Sequence, residues 1–415
     1  MSNGDDPRPP EGAVLFYNGD TAYEFLQNLG LGRNGERLML ARPRTPSGYQ
    51  SKVLLKCVVL PEAKFLEMYP RARARLEEET RLARFLHHPN IARVHGLFEM
   101  KYGLCAVLES VEGFSLDTLL AIAQTRGSYF SEAFVLYVFA EVAGALAYAH
   151  SRTDDAGVPL GIVNRDINPA RIRLRPNGGV ALTDFGVAFS RLAGRIATSL
   201  PRPRGDVIYA APEAMLGEAV DARGDLFSLG LTMLEFATGR HLYDPADLKI
   251  SEAESRLSPA EHERVLRASI TLMETGQPLH VEDAIWCAMV YRAPDIGRAA
   301  FGVSKHLRAI FYTLLRRKPA DRIPSAAELE TAIRARLSQL GPYGAEDAVK
   351  EVQRALLEAG EALEELSLVD DEGGFVPADW REHPDTVETR PGSYISDELT
   401  TAPGARRAGK TPPAA

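Results

Sequence analysis

Short apolar runs broken by Gly, Asn and Pro fill Ala13 to Leu60, whereas long apolar-periodic segments dominate after Gly113. The first pattern predicts strands and turns, the second helices. Val53 to Leu60 is the clearest strand, and Leu104 to Leu108 gives another strand signal. Between them, Arg71 to Leu86 is charged with recurring apolar positions, as an amphipathic helix requires. Pro70 suits its start, where a missing N–H costs little. His88-Pro89-Asn90 ends it, because proline disfavours helix in the residue before it. Ser131 to His150 reads as a long buried helix with Ser131 as N-cap. Asp225 to Thr238 is a second strongly apolar helix, and Glu263 to Leu340 supplies several more. An acidic amphipathic helix, Ala345 to Leu366, is expected to pack on the helical part. Strands first and helices second predict an α+β fold with a small β-rich lobe and a larger helical one.

Residues 1–12 are polar and Pro-rich and are expected to be disordered. From about Asp370 the chain mixes acidic residues, Pro, Gly, Ser and Thr, which predicts a second disordered stretch. The expected organisation is a globular domain over 13–340, divided into lobes 13–110 and 111–340. A helical extension follows over 341–368, and a tail over 369–415. At 415 residues, with 45% hydrophobic and 25% charged, the chain can bury a large core. Its net charge of −8 argues against nucleic acid as a partner. The N-terminus lacks signal-peptide character, and no apolar run approaches the ~18–20 residues that span a bilayer. A soluble, cytoplasmic protein without a membrane partner is the expectation. Cys57, Cys105 and Cys287 lie far apart and lack metal-ligand spacing. They are expected to be small buried hydrophobes in a reducing compartment, without a disulfide framework.

The chemistry concentrates between Asn164 and Gly186. The run Asn164-Arg165-Asp166-Ile167-Asn168-Pro169-Ala170-Arg171 and the later Asp184-Phe185-Gly186 resemble a protein-kinase catalytic loop and its metal-binding Asp-Phe-Gly. The two aspartates stand 18 positions apart (184 − 166), as that family spaces them. The resemblance runs from about Leu29 to Leu337. Gly30, Gly32 and Gly35 fit a Gly-rich loop, which lets backbone N–H groups approach phosphates. The family places a valine two residues after the third glycine; here Arg37 stands there, unless a one-residue slip brings in Leu38. Lys56 matches the strand lysine that grips nucleotide phosphates, and Glu79 the helix glutamate that pairs with it. Leu108 to Gly113 resembles the hinge, with Leu108 as gatekeeper and the backbone of Glu109 and Val111 facing adenine. Ala211-Pro212-Glu213, Arg322 and Asp225 resemble architectural residues: the end of the activation segment, its buried ion-pair partner, and the carboxylate that braces the catalytic loop. In detail the sequence looks most like Ser/Thr kinases of myxobacteria. The resemblance implies the two-lobed kinase fold, ATP with Mg2+, Asp166 as catalytic base and Asp184 as metal ligand.

The departures from the family pattern share one cleft. Arg171 replaces the metal-binding Asn. A guanidinium has no acceptor, so it cannot ligate Mg2+ and would repel it. It is placed instead to pair with Asp184 or Asp166. Asn164 replaces the usual His beneath Phe185, and Asn168 the usual Lys. Arg171 and Arg173 alternate with Ile172 and Leu174, so both arginines point into the cleft if the apolar pair faces the core. Arg173 replaces the leucine floor under adenine, and Leu54 the small roof; alternatively the Arg173 stem still covers adenine. In the segment Asp184 to Glu213, Thr198 and Ser199 are candidate phosphosites for Arg165, Arg202 or Arg204. Asp206 falls near the threonine that shapes the substrate site. Thr386, Thr389, Ser393, Ser396, Thr400 and Thr401 offer phosphosites in the tail. Two functions lead, with a weaker third in which Arg171 and Arg173 bind a different anionic ligand. One is a pseudokinase acting as scaffold or allosteric partner of other proteins, an active Ser/Thr kinase among them. The other is an active Ser/Thr kinase holding one Mg2+ through Asp184.

Overall fold

Alternation of side chains along Val53–Val59 sets the frame of the N-terminal lobe. Leu55 and Cys57 join one apolar cluster, while Leu54 and Val58 join another on the opposite face. This strand, β5, lies in one antiparallel sheet with β1 (Val14–Asn18), β2 (Thr21–Leu31), β3 (Arg37–Thr45) and β4 (Gly48–Tyr49). Helix α1 (Tyr69–Ala83), then β6 (Val94–Met100) and β7 (Gly103–Glu109), complete the lobe, with strand order β1-β2-β3-β5-β7-β6 and β4 paired to β3. Helix α1 packs Ala72 and Leu76 on the Val58 face, so Lys56 and Leu38, opposite one another, look toward α1 and the cleft. This is a computed structural model, and it describes residues 9–32, 35–59, 69–100, 103–192, 205–244, 250–273 and 280–369.

The C-terminal lobe is helical, as expected. It contains β8 (Phe114–Ser115), α2 (Leu116–Thr125), α3 (Glu132–His150), β9 (Ile172–Leu174), β10 (Val180–Leu182), α4 (Pro212–Met215) and α5 (Ala222–Thr238). There follow α6 (Ile250–Arg256), α7 (Pro259–Met273), α8 (His280–Val290), α9 (Ala293–Ala299), α10 (Lys305–Leu314), α11 (Ala326–Leu340) and α12 (Ala345–Val369). Ser131 caps α3 by accepting from the Phe134 N–H at 3.1 Å. Helix α3 buries Phe134, Leu136, Phe139 and Leu146 completely and packs between α5 and α11. By length and composition alone it could cross a membrane, contrary to the expectation that no apolar run reaches that length. In the fold it is a core helix. Gly239 ends α5 with φ 67°, a left-handed position that a side chain would strain.

Helix α12 packs on α2, as the sequence predicts. Glu351 accepts from the Ser131 N–H (2.6 Å), Ser131 Oγ (2.8 Å) and Tyr343 Oη (2.8 Å). Glu358 pairs with Arg126 at 2.9 Å, while Ala348, Val352 and Ala355 are buried.

A second expectation is overturned. Cys57 and Cys105 are directly opposite in the β5–β7 ladder and form a disulfide, with Cα atoms 4.1 Å apart. A separation of 48 positions concealed the pairing, because strand register is a long-range property. This removes the cysteine argument for a reducing compartment. Cys287 is a buried free thiol, as expected.

Candidate functional site

The cleft between the lobes assembles Lys56, Glu79, Asp166 and Asp184. Lys56 Nζ donates to Glu79 Oε2 at 2.9 Å and lies 3.4 Å from Asp184 Oδ1. Burial alone would lower the lysine's pKa, but attraction to Asp184 and Glu79 overrides it and holds the ammonium above its ordinary value. Burial likewise opposes ionisation of Asp184; Lys56 and Arg171 win and hold its carboxyl well below the usual range. Burial pushes Glu79 up, with Lys56 opposing. Gly186 fits this triangle because it has no side chain. A Cβ there would fall 2.6 Å from Lys56 Nζ and 2.8 Å from Glu79 Oε2.

The catalytic-loop backbone is fixed from below. Asp225 accepts from the N–H groups of Asn164 (2.7 Å) and Arg165 (2.9 Å), and its Oδ2 lies 2.8 Å from His150 Nε2. Arg165 is held at φ 68°, with its guanidinium stacked 4.7 Å over Phe189. Asn164 is wholly buried and satisfied: Nδ2 donates to the Asp184 carbonyl at 3.1 Å, and Oδ1 accepts from the Asp166 N–H at 3.0 Å. The amide thus links the two aspartate segments, which offsets its desolvation. Farther down, Arg322 makes a bidentate pair with Glu213 at 2.6 and 2.7 Å.

Arg171 pairs with both aspartates. Its Nε donates to Asp166 Oδ2 at 2.9 Å, and Nη1 lies 3.2 Å from Asp184 Oδ2. Burial opposes the charge, yet Asp184 and Asp166 hold this guanidinium above even its high ordinary value. The other oxygen of Asp166, Oδ1, accepts from Asn168 Nδ2 at 2.9 Å and from the Asp206 N–H at 2.8 Å. Both oxygens of Asp166 are therefore engaged by the chain, and the residue is 4% exposed. Asn168 also caps the single turn Pro169–Arg171 by accepting from the Ala170 N–H at 3.1 Å.

Beneath the hinge, Ile172 and Leu174 are buried in the main core, so Arg171 and Arg173 share the other face. Arg173 Nη2 donates to the Gly113 carbonyl. Arg175, which belongs to no motif with a sequence signal, pairs with the Glu109 carboxylate. The Glu109 N–H donates to the Arg93 carbonyl at 2.7 Å. Val111 is buried next to the hinge.

In the Gly-rich loop, Gly30 and Gly35 adopt φ 89° and 82°. Leu38, not Arg37, stands opposite Lys56 on the cleft face; Arg37 is exposed. The slip that the sequence left open is thus real, and Glu36, next to it in the chain, is buried. Thr198, Ser199, Arg202, Arg204 and the tail phosphosites lie outside the described residues.

Among the described residues, no group of three or more His, Cys, Asp and Glu side chains is arranged to hold a metal ion. The residues near Asp184 do not fit Mg2+. The second ligand position carries a guanidinium that donates to both carboxylates, and an acceptor-free cation supplies nothing to a metal.

A family model described as protein kinase domain matches residues 23–332. The tyrosine-protein kinase MasK of Myxococcus xanthus is 34% identical over 224 residues, covering 52% of this chain and 32% of that protein. The serine/threonine-protein kinase PknJ of Mycobacterium tuberculosis is 34% identical over 221 residues, 52% of this chain and 34% of the relative. PknF of the same species is 31% identical over 251 residues, 59% of this chain and 48% of the relative. The chain spans less than half the length of these relatives.

Proposed function

This chain belongs to the protein kinase domain family, and from that premise we propose that it acts as a catalytically impaired member, a scaffold or allosteric regulator of other proteins. An active Ser/Thr protein kinase is the partner class proposed first, since relatives of this chain carry that name. One observation carries the reading: Arg171 bridges Asp166 and Asp184. Kinase domains in general use ATP with Mg2+, and their chemistry is mostly positioning and charge neutralisation. Here a fixed cation occupies the space between the base and the metal ligand. Repulsion between two close unit charges is worth roughly 4 kcal/mol at an effective dielectric of 20, and Mg2+ carries two. Asp166, with both oxygens engaged, is also poorly disposed to accept a hydroxyl proton.

The test is a radiolabelled transfer assay on purified protein beside Asp166→Ala, with thermal titration by ATP in the presence and absence of Mg2+. The expected result is no transfer above the Asp166→Ala background and no Mg2+-dependent shift. Robust Asp166-dependent transfer would overturn the proposal.

The second reading, an active Ser/Thr kinase with atypical single-metal use, draws support from the formed Lys56–Glu79 pair. It expects Arg171→Asn to raise transfer markedly. No gain in that variant, together with no Mg·ATP binding, would set it aside.

A further inference from the structure

Two glycines bring distant segments against the turn between β9 and β10. Gly113, at the end of the hinge, has φ 101°, and a Cβ there would overlap the Leu174 carbonyl and lie 3.0 Å from Arg175 Cα. A Cβ on Gly178 would overlap the Ala345 carbonyl at the start of α12. The turn thus touches the hinge at Arg175 and α12 at Gly178, backbone against backbone, which only a residue without a side chain allows.

The turn itself is stiff. The Arg175 N–H donates to the Gly179 carbonyl at 2.7 Å, and the Gly178 N–H to the Arg175 carbonyl at 2.9 Å. Asn177 Oδ1 accepts from the Gly179 N–H at 3.0 Å. Pro176 fixes φ at the second position of the turn. A shift of Gly178 is consequently a shift of Arg175.

Side chains carry both ends further. Arg175 pairs with the Glu109 carboxylate, whose Oε2 also accepts from the Arg93 N–H at 3.0 Å. Two residues before the turn, Arg173 donates to the Gly113 carbonyl. On the helix side, the Gly178 carbonyl accepts from Tyr137 Oη at 2.9 Å. The Tyr137 ring lies 6.0 Å from that of Tyr343, whose hydroxyl donates to Glu351 on α12. Unbroken contacts therefore run from α12 through a rigid turn to the hinge, the physical form that coupling between two sites requires.

We propose that α12 is a regulatory strap on the hinge: docked, it holds the Arg175–Gly179 turn against Glu109 and Gly113, and a partner protein that draws the start of α12 away loosens the hinge. The inference rests on the allosteric-regulator reading for its partner. The coupling itself does not depend on whether phosphate is transferred.

The experiment is hydrogen–deuterium exchange of the full chain, read by mass spectrometry in peptides covering 107–115, 345–352 and 138–146. Wild type is compared with Gly178→Ala, which pushes α12 from the turn, and with Glu351→Ala, which loosens α12 and leaves the turn untouched. Gly178→Ala should speed exchange in 345–352 and, with it, in 107–115 by about three- to tenfold, the worth of about one lost hydrogen bond. Glu351→Ala should act in the same direction by a smaller factor, and it carries the test if Gly178→Ala fails to fold. The core of α3, 138–146, should keep its wild-type rate. Coupling is reciprocal, so Arg175→Gln, which cuts the turn from Glu109, should speed exchange in 345–352. Faster exchange in 345–352 of the α12 variants with 107–115 unchanged would overturn the proposal, as would equal acceleration in 138–146, which reports general loosening. Asp166-dependent transfer by wild type would instead defeat the pseudokinase reading, and the exchange comparison would still decide this one.

Discussion

Arg171 Nε and Asp166 Oδ2 are 2.9 Å apart, although the family pattern puts a neutral amide at 171 and leaves that carboxylate for substrate. The same guanidinium reaches Asp184, so one side chain neutralises two carboxylates in the space between them. A buried charge whose partner is removed is costly, about 3–5 kcal/mol when fully desolvated. Arg171 and Asp184 are each about a quarter exposed, which discounts that figure to ~1–3 kcal/mol. Arg171→Asn should therefore lose stability in EDTA by that amount, measured by urea denaturation. Millimolar Mg2+ should restore part of it, because two carboxylates and an amide form an oxygen ligand set. Wild type should be indifferent to Mg2+. Equal stability of variant and wild type in EDTA would show that the bridge is not holding the aspartates.

The Glu213–Arg322 pair is a second cation–carboxylate contact with a different role. The Arg322 side chain is fully buried, its guanidinium stacks 4.6 Å from the Phe227 ring centroid, and it also donates to the carbonyls of Arg316, Arg317 and Arg223. A planar fork satisfies all these acceptors; an ammonium cannot. Arg322→Lys should therefore lose most of what Arg322→Ala loses, on the order of 3–5 kcal/mol. Full rescue by lysine in an equilibrium urea melt would contradict this account.

What the sequence made legible were contacts within motifs of fixed spacing. Lys56 meets Glu79 and Asp184, Asp225 braces the Asn164–Arg165 backbone, and Glu213 meets Arg322, because short motifs place their side chains locally and the lobes bring the motifs together. The long apolar helices α3 and α5 were legible for the same reason. Features set by strand register were not. The Cys57–Cys105 disulfide and the inward turn of Glu36 both depend on which residues stand opposite across the sheet. The β2–β3 ladder has register shifts at Phe25/Gln27 and Asn28/Gly30, and these move the loop by the one residue that sequence counting could not assign. The Asp206 N–H on Asp166 was hidden for a related reason: a backbone donor leaves no residue-type signal.

Helix α12 is pinned at its start by a glycine. Gly178, in the turn between β9 and β10, has φ 81°, and a Cβ there would lie 2.1 Å from the Ala345 carbonyl. Gly178→Ala combines a disfavoured backbone with a clash, so the helix must shift. Loss of the Glu351 bonds to Ser131 and Tyr343 should follow. Glu351→Ala removes those bonds without a clash and should cost about 0.5–1.5 kcal/mol, since the donors are exposed or half-buried and water replaces much of the lost acceptor. Limited proteolysis should cut Gly178→Ala near the start of α12 much faster than wild type. Unchanged cleavage would mean that α12 is held by its apolar face alone.

His241 gives the fold a dependence on pH. Its Nδ1 accepts from the Tyr243 N–H at 3.1 Å, and its Nε2 is buried without a hydrogen-bond partner. Tyr209 and Tyr243 meet the ring edge-on. Burial lowers its pKa from 6.5 to about 4, with Asp244 opposing weakly. A histidine depressed in the folded state binds protons more readily when unfolded, so unfolding takes up a proton between those two values. Stability should accordingly fall as pH drops from 6.5 toward about 4, and the loss is complete below the folded value. His241→Asn keeps an acceptor for the Tyr243 N–H and removes the titration. Its urea midpoint should start below wild type at neutral pH, where packing against Tyr209 is lost, and decline less steeply across this window. Parallel declines in the two proteins would assign the acid sensitivity to another group.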